Sequence, residues 1–279
     1  MDPFDPTRLT STGKSATAVI WFPFQEVRDG TYDDKKVHIY MLPLSLCKGD
    51  AMKTLLRMSS IMPQAKHPNV LEFVGIGSDG ENAFMVTEAT EPGTLRLRLE
   101  QSSHVDVCAS IKILLGVAKG MCFLHEKFIL HRTLTAATIH VTSTGEAKVG
   151  NFEFAREDVI LGVMTNVGVP THAAPEILSG DTIYTAMVDV YSYAMLIVEV
   201  VTRHQPYANV EAPQAKIMEF IVQHNYRPVF LRTSEWPAAL FELMEKCWDA
   251  NPVLRPSFKE IVECLEAILA ADAPKTRTQ

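Results

Sequence analysis

The chain has 279 residues, 47% of them hydrophobic and 21% charged, with a formal net charge of −7. That much apolar material can build a buried core, which excludes a disordered chain, and the acidic balance excludes the basic surface that nucleic-acid binding needs. The five cysteines (Cys47, Cys108, Cys122, Cys247 and Cys264) are scattered with no Cys-x-x-Cys pair, so they read as reduced thiols in an intracellular chain.

In chain order, Ala16–Phe24 and Lys36–Pro43 are rich in Val, Ile, Tyr and Phe and are predicted strands, with the Asp29-Gly30 dipeptide as a turn between them. Apolar residues at helical spacing predict a helix over Ala51–Met62, and Pro63 interrupts it. Leu71–Ile76 and Ala83–Thr87 are predicted strands around a Gly77–Gly80 turn, and a helix is predicted from Thr94. Ile111–Leu124 is broadly apolar, as a buried helix would be. The apolar run Met187–Val201 contains Asp189 and Glu199 and is too short to span a bilayer, which needs about 20 residues. It reads as a core helix. Phe258, Ile261, Val262, Leu265 and Leu269 mark one face of a final helix, and the polar tail from Asp272 frays. A strand-rich first third followed by a helical remainder predicts an α+β chain in two lobes. The boundaries are residues 1–88 for the small lobe, 89–93 for a hinge and 94–279 for the large lobe, in one domain of residues 1–279.

Seven stretches carry a resemblance. His131-Arg132-Thr133-Leu134 with Thr138 resembles the H-R-D-L-x-x-x-N catalytic loop of protein kinases, and Asn151-Phe152-Glu153 the D-F-G metal loop. His67-Pro68-Asn69-Val70, Val86-Thr87-Glu88, Ala174-Pro175-Glu176 and Asp189-Val190-Tyr191-Ser192-Tyr193 are similar to four further kinase motifs in the same order, and Cys247-Trp248 with Arg255-Pro256-Ser257-Phe258 resembles the closing helices. The resemblance implies a bilobal kinase-like fold of the tyrosine and tyrosine-kinase-like branch. It implies that Val86-Thr87-Glu88 is the hinge strand with Thr87 at the gatekeeper position, that Glu176 and Arg255 form a buried ion pair, and that Asp189 accepts hydrogen bonds from the backbone of the His131–Thr133 loop.

The working positions depart from the pattern. The resemblance places Thr133 where the base aspartate stands, Thr138 and Asn151 at the metal ligands, Tyr40 at the third-strand lysine and Met58 at its glutamate partner. The phosphate loop aligns as Gly13, Ser15, Ala18 and Ile20, where side chains would hinder backbone approach to phosphate. His38 and His140 stand above and below the adenine slot. A threonine does not act as a base near pH 7, and magnesium favours charged oxygens. The expectation is therefore a pseudokinase, not an enzyme, with neither ATP nor magnesium as cofactor. Ser60-Ile61-Met62 before His67 and the stretch Glu81–Glu88 resemble the pseudokinase domain of Janus kinases. That likeness implies allosteric control of a linked or partner kinase domain in Janus kinase (JAK-STAT) signalling. It also implies a cytoplasmic place at a cytokine-receptor complex through a parent protein, peripheral to the membrane and not inserted in it. The competing expectations are a fixed scaffold and an atypical kinase with displaced catalytic residues.

Overall fold

The computed structural model describes residues 4–15, 18, 20–101, 106–157, 169–181 and 183–272. Five strands form the first sheet: β1 (Leu9–Lys14), β2 (Glu26–Tyr32), β3 (Lys35–Pro43), β4 (Phe73–Ser78) and β5 (Asn82–Glu88), in the antiparallel order β1-β2-β3-β5-β4. β3 is central, so both of its faces are covered, and the two-residue period of a strand decides what goes where. Val37, Ile39 and Met41 join an outer cluster with Phe84 and Val86, against which Phe4 and Leu9 pack. Tyr40 and Leu42 point the other way, into the main core. α1 (Gly49–Ile61) packs its apolar stripe of Leu55, Met58 and Ile61 into that same core.

The chain leaves β5 at Glu88 and enters the large lobe through β6 (Pro92–Thr94), which pairs with β8 (Ile139–Thr142) beside β9 (Ala147–Val149). α2 (Leu95–Gln101) follows β6. α3 (Val107–Glu126) is capped by Asp106, whose carboxylate accepts from Ala109 N–H at 2.9 Å. By length and composition α3 could cross a membrane, with 20 residues and a mean hydropathy of 1.8. It packs instead against β9 and the last helix, α8 (Phe258–Asp272). Gly120 lets α3 approach the backbone, since a Cβ there would meet the Asn69 carbonyl oxygen at 2.4 Å. β7 (Ile129–Leu130) pairs with β10 (Arg156–Glu157), and between them run the loops of interest. α4 (Pro175–Leu178) leads to α5 (Met187–Thr202), nearly all of it buried, and α6 (Gln214–His224) and α7 (Ala238–Cys247) complete the lobe.

The α+β reading with a strand-rich first part and a helical second part is what the structure shows. Three local readings are corrected. The strand predicted over Ala16–Phe24 is not one: its described residues form the β1–β2 loop, and Trp21 and Phe24 are buried in the core rather than paired in the sheet. Asp29-Gly30 is not a turn but lies inside β2, where a Cβ on Gly30 would meet Thr10 O at 2.3 Å. Close approach of β1 thus explains this glycine, and the turn falls at Asp33 and Asp34, both with positive φ. The helix predicted from Thr94 begins at Leu95, because Pro92–Thr94 is held as a strand.

Candidate functional site

The loop from His131 to Thr138 lies beside Gly150–Glu153, with Gly150 N–H bonded to Thr138 O at 2.9 Å. Two buried carboxylates on α5 fix the first loop. Asp189 accepts from His131 N–H at 2.9 Å and Arg132 N–H at 2.7 Å, and His125 Nε2 lies 3.0 Å from it. Burial works to raise the Asp189 pKa, but His125 and the loop amides outweigh it, so it lies below the ordinary carboxylate value. Glu199 accepts from Ala136 N–H at 2.6 Å and pairs with the Arg96 guanidinium, with His172 Nε2 at 3.0 Å. Arg132 adopts φ 66° and donates to Phe154 O at 2.7 Å and to the Tyr184 hydroxyl at 3.1 Å. His131 Nε2 bonds Gly150 O at 2.7 Å, and its ring meets Phe152 edge-on at 5.4 Å. The two loops are thereby clamped together. Arg255 donates two bonds to Glu176, at 2.6 and 2.9 Å, and one each to Asp249 O and Met187 O.

Within this frame the five departing positions lie as follows. Thr133 is buried and its hydroxyl has no partner. The Thr138 hydroxyl lies 2.9 Å from Thr133 O and 3.0 Å from Thr135 O, and accepts from Thr135 N–H at 3.0 Å. It braces the loop from within. Asn151 holds φ 59°, a conformation asparagine tolerates, and its Oδ1 is buried without a donor. Tyr40 and Met58 are both fully buried in the main core, where apolar packing stands in place of an ion pair. Burial pushes the Tyr40 phenol far above its ordinary pKa, so it is neutral.

The structure does not gather the aligned phosphate loop. Gly13 sits at an irregularity of β1, Ser15 N–H bonds Val27 O at 2.8 Å, the Ser15 hydroxyl accepts from Ala18 N–H at 3.1 Å, and Ile20 is exposed. Sheet pairing of Gly13 with Asp29 claims it before the loop begins. What enters the cleft is Trp21. Its ring stacks on Tyr40 at 4.5 Å and meets His140 edge-on at 6.0 Å. His140 bonds the Thr90 hydroxyl through Nδ1 at 2.8 Å, and burial followed by the nearby His38 pushes its pKa down to about 3. His38 is itself lowered by burial. Thr87 is buried at the end of β5, and the Glu88 carboxylate accepts from Glu72 N–H at 2.8 Å and pairs with Lys148 at 2.9 Å. Two further participants, Arg57 and Phe22, escaped the sequence reading, and both meet Glu153. Arg57 on α1 donates to Glu153 O, and Glu153 Oε2 accepts from Phe22 N–H at 2.8 Å, so a side chain in the glycine position ties the upper loop to the lower one. Burial raises the Glu153 pKa against its hydrogen bonds and the Arg57 charge. The dense Trp21-Phe22-Pro23-Phe24 run was the available signal for a loop that packs inward.

Comparison with known proteins places the chain. The family model for protein tyrosine and serine/threonine kinases matches residues 22–265. The chain belongs to that family. It is 32% identical over 248 residues to the serine/threonine-protein kinase STY17 of Arabidopsis thaliana, covering 88% of this chain and 43% of the relative. It is 33% identical over 226 residues to the probable serine/threonine-protein kinase drkC of Dictyostelium discoideum, covering 78% and 30%, and 30% identical over 258 residues to the dual specificity protein kinase shkB of the same organism, covering 88% and 39%. The chain spans less than half the length of these relatives.

These relatives correct the functional expectation. They are named as serine/threonine and dual-specificity kinases, so the reading as a Janus-like pseudokinase of JAK-STAT signalling, a non-enzyme without cofactor, is overturned. Departures at single positions described the machinery, whereas the class is set by the whole frame. The family implies ATP and magnesium. The usual magnesium pair does not fit here, because the Thr138 hydroxyl is spent within its own loop and Asn151 offers one neutral oxygen. Among the described residues no group of three or more His, Cys, Asp or Glu gathers to replace it.

Proposed function

We propose that the chain is a slow serine/threonine protein kinase domain of a longer protein. The observation that supports this most is the frame itself: the relatives' similarity runs over 88% of the chain, and Asp189, His131 and Gly150 O hold the two loops where the family's chemistry takes place. The reaction breaks the bond from the γ-phosphorus of ATP to its bridging oxygen and forms one to a Ser or Thr hydroxyl oxygen. In this site the proton of that hydroxyl passes to water or phosphate, because Thr133 does not take it up. A general base contributes ~10²–10⁴-fold. Set against roughly 1–100 s⁻¹ for protein kinases, turnover falls to at most roughly 1 s⁻¹. Positioning carries what catalysis remains. The partners proposed are the rest of the longer protein and a hydroxyl-bearing protein substrate, and the place proposed is the cytoplasm.

The test is transfer of labelled γ-phosphate from ATP to casein over hours, with magnesium or manganese. Slow transfer that rises at least tenfold in Thr133→Asp locates the activity in this loop. No transfer in either protein, both folded, refutes the proposal.

A further inference from the structure

We propose that Trp21 is a built-in plug: its indole holds the place of a planar ligand ring between the lobes, and the segment 20–23 that carries it swings out before a nucleotide base enters. The inference rests on the kinase reading and adds a gate to it. The indole is 1% exposed and lies between a strand of each lobe, stacked on Tyr40 of β3 at 4.5 Å with interplanar angle 26° and edge-on to His140 of β8. A tryptophan built for permanent burial finds an acceptor for its N–H. Among the described residues Nε1 is buried with none, and His140 Nε2 is likewise buried without a partner while Nδ1 is taken by Thr90. Once the indole leaves, the unmet His140 Nε2 and the Tyr40 face stay behind, and they suit a heteroaromatic ring that carries its own hydrogen-bonding edge.

Among the described residues of the loop, Trp21 and Phe24 are the buried rings, and Ile20 and Phe22 stand in water, 54% and 49% exposed. A link across the cleft is Phe22 N–H to Glu153 Oε2 at 2.8 Å, with Glu153 braced in turn by Arg57. Phe24 also packs on Tyr40, at 5.5 Å, and Gln25 N–H bonds Met41 O at 2.9 Å, so the base of the loop stays anchored when Trp21 leaves. Tyr40 then presents its face to the incoming ring. The side chain that replaces the family's lysine becomes a stacking surface.

The test reads access to the cleft without any nucleotide. Cysteine is placed at the floor by His140→Cys, and maleimide labelling at residue 140 is followed by peptide mass mapping, apart from the native thiols. Labelling at least tenfold faster with Trp21→Ala added supports the plug, and equal rates overturn it. Should Trp21→Ala unfold the protein, Glu153→Ala replaces it. Releasing the latch is then expected to speed labelling several-fold, and an unchanged rate overturns the proposal. A second arm titrates N-methylanthraniloyl-ATP. Affinity at least tenfold higher in Trp21→Ala than in the unaltered chain supports the gate, and equal affinity overturns it. Labelling that responds while neither protein binds the probe keeps the plug and removes the kinase reading beneath it.

Discussion

His140 makes the stability of this protein fall in mild acid. Its ring is buried beneath Trp21, with Nδ1 bonded to the Thr90 hydroxyl and His38 nearby, and its pKa is pushed down to about 3. In the unfolded chain the ordinary value is about 6.5. Between those values the unfolded state binds a proton that the folded state refuses, so stability falls as pH falls. The loss begins near pH 6.5 and grows toward pH 3. At pH 5 the gap is about 1.5 pH units, which at ~1.36 kcal/mol per unit is about 2 kcal/mol. At pH 7.5 the cost is close to zero. His140→Gln keeps a group that hydrogen-bonds the Thr90 hydroxyl in either direction and removes the titration. Urea unfolding of both proteins at pH 7.5 and pH 5, with the dependence on urea required to stay constant, isolates the term. His131 and His38, also lowered by burial, contribute equally to both proteins. The unaltered chain is expected to lose about 2 kcal/mol more than the variant. Equal losses would refute the burial argument for His140.

Glu176→Ala strands the Arg255 guanidinium, whose side chain is fully buried, and is expected to cost ~3–5 kcal/mol in chemical denaturation; a loss below 1 kcal/mol would show that the pair is not desolvated. Asp189→Asn turns one acceptor of the His131 and Arg132 amides into a donor, with an expected cost of about 1.5–3 kcal/mol. Faster hydrogen exchange at those two amides is the readout that a general loss of stability alone would not confine there. Gly120→Ala overpacks α3 against the Asn69 carbonyl and is expected to cost about 1–3 kcal/mol; an unchanged unfolding midpoint would show that the helix can shift away.

Sequence motifs made the frame legible because they are short, ordered and tied to backbone needs. The acid in the apolar run of α5 marks the point where loop amides must be satisfied, and Asp189 does satisfy them. Glu199 in the same run was legible as a lone buried charge, but its partners Arg96, His172 and the Ala136 amide come from three other parts of the chain. No local spacing brings those together. The same limit explains the misread turn, where Asp29-Gly30 has turn chemistry and yet serves a strand pressed close to β1.

By itself the sequence determined the α+β order of elements, the two lobes and the identity of the side chains at the working positions, because periodicity and motif order are local properties. Only the tertiary structure decided what fills the cleft. Whether Trp21 lies in a strand, in water or between the lobes depends on Tyr40, His140 and Glu153, which stand 19, 119 and 132 residues away along the chain. An aromatic side chain goes where apolar area is removed from water, and that place exists only once both lobes have closed around it.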